Sequence, residues 1–172
     1  MSSCGKGQVC EVKAPPPGAG FCTQCGRKGK AVEAQTLEHL LVEPFGRQLN
    51  DAPYYFCATP DCNVVYFSPS SGTTFLKRDL RVRVGIKETD DPIPICYCFG
   101  HTRASAWQEI ERTGSSTVVE SIKREIQAGR CQCEIKNPSG KCCLGEVTRV
   151  IREGMRIRGQ PGSLLPMSRE AL

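Results

Sequence analysis

The distribution of cysteine constrains this chain more than any other feature of its sequence. Twelve of the 172 residues are cysteine, and all twelve fall into pairs whose members lie one to six positions apart. Aromatic residues make up only 6% of the chain, whereas it contains 17 glycines and 12 prolines. Because a core of buried apolar side chains is hard to build from this composition, disulfides or bound metal must supply part of the stability.

Whether the cysteines form disulfides or bind metal depends on the redox state of the cellular compartment. The N-terminal sequence MSSCGKGQVC has no apolar segment of the kind found in secretory signal peptides, and no run in the chain approaches the roughly 18 apolar residues of a membrane span. We therefore expect a cytoplasmic protein with no membrane insertion, whose thiols are kept reduced. Closely spaced cysteines then indicate metal binding rather than disulfides.

The formal net charge of +5 does not indicate a nucleic-acid partner, because it counts every thiol as neutral. A zinc ion with four thiolates and an oxidised [2Fe-2S] core with four thiolates each carry −2, so two such centres would leave about +1. The basic residues that remain are local, in residues 81–83 and in the C-terminal tail. No nucleic acid is expected among the partners.

The first set of cysteines consists of two pairs about thirty residues apart, Cys22-x2-Cys25 and Cys57-x4-Cys62. Zinc prefers four soft ligands in a tetrahedron, and two short-spaced pairs from separate turns supply four thiolates around one point. Such a site would be structural, since the protein fills every coordination position. The alternative is four reduced, buried cysteines without metal.

The second set contains six cysteines, in Cys96-x-Cys98, Cys131-x-Cys133 and the adjacent pair Cys142-Cys143. A helical pattern of about thirty residues separates the first pair from the others, and a helical hairpin would bring both loops to one end of the helices. This arrangement favours an iron–sulfur cluster, with a second zinc as the alternative. Six thiols then compete for four places, and spacing alone does not choose among them.

Pro/Gly-rich and charged segments divide the chain into four parts. Residues 1–20 form a flexible arm and linker, 21–92 a mixed zinc-binding unit, 93–154 a helical unit, and 155–172 a basic, flexible tail. Cys4 and Cys10 lie on the arm, where two thiolates could capture Cu(I) or Hg(II), or could be ordinary thiols. The sequence predicts an α+β fold, with a small zinc-knuckle and β-hairpin subdomain joined to a helical subdomain.

Local patterns predict the elements of these two units. In the first unit we expect a short helix at residues 36–41, a hairpin at 54–67 around the turn Thr59-Pro60-Asp61, and a third strand at 81–86 from its polar–apolar alternation. In the second unit, helices are expected to start at Thr102, at the capping-box sequence of Thr117 and at Cys143, with the last ending near Glu153.

A family resemblance is carried by long motifs in both units. The segments CYCFGHT at residues 96–102, TVVESI at 117–122 and CEIKNPSGKCCLG at 133–145, together with CTQCG and YYFCATPDCNVVYF upstream, resemble the N-terminal domain of the CopZ copper chaperones. The similarity covers roughly residues 21–153. No segment resembles the copper-carrying domain with a GMxCxxC loop that follows in that family, so a carrier for Cu(I) is expected to be a separate protein.

The resemblance implies one mononuclear zinc and one [2Fe-2S] cluster, with a cluster half similar to bacterioferritin-associated ferredoxins. The family pattern places the cluster ligands at Cys96, Cys98, Cys133 and Cys143, which leaves Cys131 and Cys142 without a role.

The function we expect is an accessory role in soft-metal homeostasis, with copper as the favoured metal. One-electron transfer from the cluster could reduce Cu(II) to Cu(I), which makes Cu(I) an additional bound metal. Expected partners are an electron donor and a soft-metal carrier protein or export P-type ATPase. The alternatives are a general ferredoxin-like electron carrier and an iron–sulfur redox sensor. With only two histidines and no phosphate-binding loop, the chain does not indicate a conventional enzyme.

Overall fold

A four-stranded antiparallel sheet organises the first half of the chain in the computed structural model, which describes residues 20–159. The strands pair in the order β1-β2-β3-β4, and helix α1 connects β1 to β2. Their bounds are Lys30–Val32 (β1), Ala34–Leu40 (α1), Tyr54–Phe56 (β2), Val64–Ser68 (β3) and Thr73–Leu76 (β4). Single turns of 3₁₀ helix occupy Phe45–Arg47, Lys77–Asp79 and Gly85–Lys87.

Strand β3 lies at the centre of this half, and all five of its residues are buried. Its sequence Val-Val-Tyr-Phe-Ser combines β-branched and aromatic side chains, which pack well on a pleated surface. β2 and β3 form the predicted hairpin, with Tyr55 opposite Phe67 and Phe56 opposite Tyr66. Helix α1 adds Leu37 to the same core.

The second half is mostly helical and follows a two-stranded ribbon. The ribbon strands are Pro94–Cys96 (β5) and His101–Thr102 (β6), and the helices are Arg103–Thr113 (α2), Val118–Gln127 (α3), Cys133–Lys136 (α4) and Leu144–Arg158 (α5). The Thr102 hydroxyl accepts a hydrogen bond from the Ser105 backbone amide at 3.1 Å, which caps α2 as the sequence predicts. α2, α3 and α5 enclose a separate apolar core that includes Ile110, Ile122 and Val147.

Helix α5 is longer than predicted. It continues through Gly154 to Arg158, whereas the sequence suggested an end near Glu153. Gly154 is buried, and a Cβ atom at this position would lie 2.6 Å from Cδ1 of Trp107. The indole Nε1–H donates to the Val150 carbonyl at 3.1 Å. Gly154 therefore makes room for the Trp107 ring inside a continuing helix and does not terminate it.

The two halves pack against each other through the turn that follows α4. The Tyr66 hydroxyl on β3 donates to the Pro138 carbonyl at 2.7 Å, and the Thr36 hydroxyl on α1 donates to the carbonyl of Glu134. The hydroxyl of Tyr97 also bridges the halves, since it accepts from the Gly85 amide at 2.8 Å. These contacts fix the position of the α4 turn relative to the sheet.

One predicted strand is wrong. Residues 81–86 form no strand, and a 3₁₀ turn begins at Gly85. The hydrogen bonds of this segment go elsewhere: the Arg81 side chain donates to the Leu41 carbonyl, and the Arg83 side chain donates to the Pro92 and Asp90 carbonyls.

The α+β class is confirmed, with β1 and β4 as sheet strands that the sequence did not predict. Within residues 20–159, no helix combines the length and apolarity that would let it cross a membrane.

Candidate metal centres

Two tight loops present the first four cysteines. Cys22 and Cys25 lie in a knuckle in which the Gly26 amide donates to the Cys22 carbonyl at 2.8 Å. Gly26 has φ +67°, a left-handed conformation that glycine adopts without strain. Cys57 and Cys62 lie in the loop that joins β2 to β3. The knuckle and the hairpin loop therefore face each other across one point.

The four sulfur atoms are arranged as tetrahedral zinc requires. The Sγ atoms of Cys22 and Cys62 are 3.8 Å apart, those of Cys25 and Cys57 are 3.6 Å apart, and all four lie within 4.8 Å of one another. A tetrahedron with Zn–S bonds of 2.3 Å has S···S edges of about 3.8 Å. The donor set therefore fits a mononuclear zinc ion held entirely by protein.

The pKa values of the thiols in the knuckle and the β2–β3 loop indicate that a cation is needed for all four to ionise. Burial raises the pKa of Cys62 to about 12 and also raises the pKa of Cys22. At Cys25 burial acts in the same direction, but hydrogen bonds from Thr59, the Arg27 amide and Cys57 outweigh it and lower the pKa to about 6. The protons are shared unequally because four thiolates cannot ionise together at this spacing without a metal.

The second set of cysteines converges near the start of α5. Cys96 ends β5, Cys98 lies in the turn between β5 and β6, Cys133 begins α4, and Cys143 is the N-cap residue of α5. Cys96, Cys133 and Cys143 are buried, whereas Cys98 is partly exposed.

These four thiols form one connected group. The Sγ atoms of Cys98 and Cys133 are 3.6 Å apart, and Cys143 is hydrogen-bonded to both Cys96 and Cys133. The hydrogen bond from Cys143 lowers the pKa of Cys133 to about 5 and that of Cys96 to about 7, and the same contacts raise the pKa of Cys143. A [2Fe-2S] cluster requires four thiolates, and this group contains that number of donors.

A fifth thiol lies close to this group. The Sγ of Cys131 is 3.4 Å from that of Cys133, and Cys98, Cys131 and Cys133 together lie within 4.8 Å of one another. Cys142 is exposed. The structure thus brings together the four predicted zinc ligands; in the second half the close sulfur group consists of Cys98, Cys131 and Cys133, and Cys96 and Cys143 lie in the same buried core as Cys133. Cys4 and Cys10 lie outside the described residues.

Sequence reasoning missed the side chains that support the first centre. The Thr59 hydroxyl lies 3.4 Å from the Cys25 sulfur, and the Lys87 ammonium donates to the Thr59 and Cys62 carbonyls. Thr59 stands inside the Cys57–Cys62 segment and could have been suspected from its position. Lys87 follows the second cysteine pair by 25 residues, and no local pattern marks it.

Comparison with known proteins agrees with this geometry. A family model described as a zinc binding domain (zf_CopZ) matches residues 19–81. The copper chaperone CopZ of Archaeoglobus fulgidus is 33% identical over 130 residues, which make up 75% of this chain and 60% of that protein. The X-ray structure of the N-terminal domain of the same CopZ superposes with a TM-score of 0.64 at 33% identity, covering 76% of this chain and 96% of that one.

The fold and the first cysteine group define a zinc-binding domain, and a second group of cysteines lies in its helical half. The chain belongs to the CopZ family and corresponds to the N-terminal domain of its members. It spans 60% of the length of the curated relative that it matches. The predicted family resemblance is therefore confirmed.

Proposed function

We propose that this chain serves copper homeostasis by supplying single electrons that convert Cu(II) into Cu(I). The observation that supports the proposal is the second cysteine group, in which the Cys133 sulfur lies 3.6 Å from that of Cys98, and Cys96 and Cys143 are buried in the same core. The similarity to a protein named as a copper chaperone supports copper as the metal. When bound, a [2Fe-2S] cluster exchanges one electron at a time. Reduction of Cu(II) to Cu(I) also takes one electron.

The zinc centre has a structural role in this proposal. Cys22, Cys25, Cys57 and Cys62 hold the ion and leave no coordination position for water or substrate. Zinc fixes the knuckle against the β2–β3 loop, and β3 in turn holds the α4 turn through Tyr66. The sheet thereby keeps the loop that carries Cys133 and Cys143 in place.

The second centre has an exposed side, which a donor or acceptor of electrons requires. Cys98 and Cys131 are partly exposed, whereas Cys96, Cys133 and Cys143 are buried. An electron donor would therefore approach from the side of Cys98. Reduced copper would pass to a soft-metal carrier protein or an export P-type ATPase, whose thiolates prefer Cu(I).

The test combines metal analysis with a copper-reduction assay on protein purified without oxygen. We expect one zinc per chain, two irons per chain and a one-electron EPR signal after reduction with dithionite. The pre-reduced protein should convert about one equivalent of Cu(II) into Cu(I), detected with a Cu(I)-specific chelator. Colourless protein without iron would overturn the proposal.

Two other functions are outcomes of the same assay. Reversible reduction with no transfer to Cu(II) would indicate a general electron carrier. Loss of the cluster on mild oxidation, while the fold measured by circular dichroism persists, would indicate a redox sensor.

The double variant Cys4→Ser with Cys10→Ser tests whether the N-terminal arm captures copper. This variant should bind less Cu(I) than wild type if these thiols take part.

A further inference from the structure

A buried lysine lies beneath the loop that carries two of the zinc-site cysteines. Lys87 ends the 3₁₀ turn Gly85–Lys87 and is only 5% exposed. Every other lysine and arginine of residues 20–159 is partly or fully exposed. Charged side chains are almost never buried to this degree unless something compensates the charge.

The ammonium group of Lys87 is directed at the hairpin loop. It donates to the Thr59 carbonyl at 2.7 Å and to the Cys62 carbonyl at 2.9 Å. Thr59 also places its hydroxyl 3.4 Å from the sulfur of Cys25. One side chain therefore holds the backbone of the Cys57–Cys62 loop in the conformation that presents its thiols to Cys22 and Cys25.

No carboxylate compensates this charge. Among the ion pairs of residues 20–159 none involves Lys87, and its neighbour Glu88 pairs with Lys77 at 3.2 Å and with Arg83 at 2.9 Å. The carbonyl oxygens satisfy the hydrogen-bonding groups of the ammonium but carry no net charge. The loop that the ammonium binds carries two of the four cysteines, and these four thiolates with zinc have a net charge of −2.

We propose that Lys87 is a positioning residue of the zinc centre, whose ammonium compensates the charge of the four-thiolate zinc site and holds the Cys57–Cys62 loop in its binding conformation. This inference rests on the proposed zinc ligands. It makes zinc binding and the burial of Lys87 mutually stabilising, because each supplies the charge that the other lacks.

The test measures zinc affinity in the full chain by competition with a chromogenic chelator. Lys87→Met keeps the length of the side chain and removes its charge and donors, and we expect about 10- to 100-fold weaker zinc binding, as for other residues that support metal ligands. Lys28→Met is the matched control, since Lys28 is exposed and lies three residues after Cys25. Its affinity should stay within about threefold of wild type, because exposed charges are screened.

Unchanged zinc affinity in Lys87→Met would overturn the inference, as would an equal loss in Lys28→Met. A purely structural role for Lys87 would lower the stability of the zinc-loaded and zinc-free forms equally and leave the affinity unchanged. Failure of the wild-type chain to bind zinc is a different result, because it would overturn the zinc centre itself.

A measurement on the wild-type chain covers the case in which Lys87→Met does not fold. Reductive methylation of lysines, followed by mass spectrometry, compares Lys87 with Lys28 before and after zinc extraction. We expect slow labelling of Lys87 in the zinc-loaded protein and at least about tenfold faster labelling after extraction, with Lys28 unchanged. The same labelling rate of Lys87 before and after zinc extraction would overturn the inference.

Discussion

The two cysteine groups differ in the number of thiols that surround each centre. The first has four thiols for the four positions of one zinc ion, and three of the four are buried. The second has the four predicted cluster ligands plus Cys131, whose sulfur lies 3.4 Å from that of Cys133, and it is partly open to solvent. A closed group with a matching number of donors suits a structural ion, whereas an open group suits exchange with a partner.

Removal of a ligand from the closed group should have the largest effect. Cys57→Ser takes one thiolate from the zinc site, and we expect loss of the ion together with up to about 10 kcal/mol of stability, because zinc binding free energy is folding free energy in such sites. Zinc analysis and denaturant unfolding measure the two effects. Iron content should also fall, because the sheet holds the α4 turn through Tyr66, but it should fall less than zinc content, since the second core consists of other residues. Full zinc retention would break the assignment.

The adjacent residues Cys143 and Cys142 sharpen the comparison at the open group. Cys143 is buried beside Cys96 and Cys133, whereas Cys142 is exposed. We expect Cys143→Ser to lose the iron and the EPR signal, and Cys142→Ser to keep both. Cys131→Ser should also keep the iron and the EPR signal if the four predicted cysteines are the ligands. Loss of iron in Cys131→Ser, with retention in Cys133→Ser, would exchange the roles of these two residues.

The difference between the groups also explains how much of each could be predicted from sequence. At the first centre Cys22, Cys25, Cys57 and Cys62 are the only described cysteines before residue 96, so spacing sufficed to propose the set. At the second centre the C-x-C spacing occurs twice, at Cys96 and at Cys131, and sequence offers six thiols. Burial and distances add what spacing cannot: Cys142 is exposed, whereas the sulfur atoms of Cys98 and Cys131 both lie close to that of Cys133.

The same reasoning applies to the fold. The hairpin of β2 and β3 was predictable because its apolar strands flank a turn with proline. Residues 81–86 have the alternation of a strand, but their arginines bond to carbonyls of neighbouring loops, and such contacts leave no local pattern. Lys87 was missed for the same reason, since its partners lie 25 and 28 residues away.

Acidification should weaken zinc binding at the closed group steeply. In the zinc-free protein the pKa values of Cys22 and Cys62 are raised, the latter to about 12, so both thiols hold protons at neutral pH. Zinc must displace at least these two protons, and affinity therefore rises with pH by at least about 100-fold per unit, or about 2.7 kcal/mol, between pH 7 and 8. Calorimetry in buffers of different ionisation enthalpy measures the protons released. Release of fewer than about one proton would contradict the shared-proton arrangement.

The smallest expected effect concerns the connection between the two centres. Tyr66→Phe removes the hydroxyl that donates to the Pro138 carbonyl across the interface of the two halves. A buried carbonyl that loses its donor costs about 1–3 kcal/mol, so denaturant unfolding should show a loss in that range. Tyr54→Phe is the matched control, because Tyr54 is also buried but its hydroxyl donates to Asn50 within the first half.

The metal content of Tyr66→Phe separates two descriptions of the molecule. If the sheet positions the loop of Cys133 and Cys143 through this hydrogen bond, the variant should keep its zinc and lose its cluster faster than wild type under oxidant, while Tyr54→Phe should lose neither faster. Equal rates of cluster loss in wild type, Tyr66→Phe and Tyr54→Phe would mean that the two halves share an interface but that the zinc centre does not stabilise the cluster centre. The distinction matters because it decides whether zinc acts only on its own loops or on the whole domain.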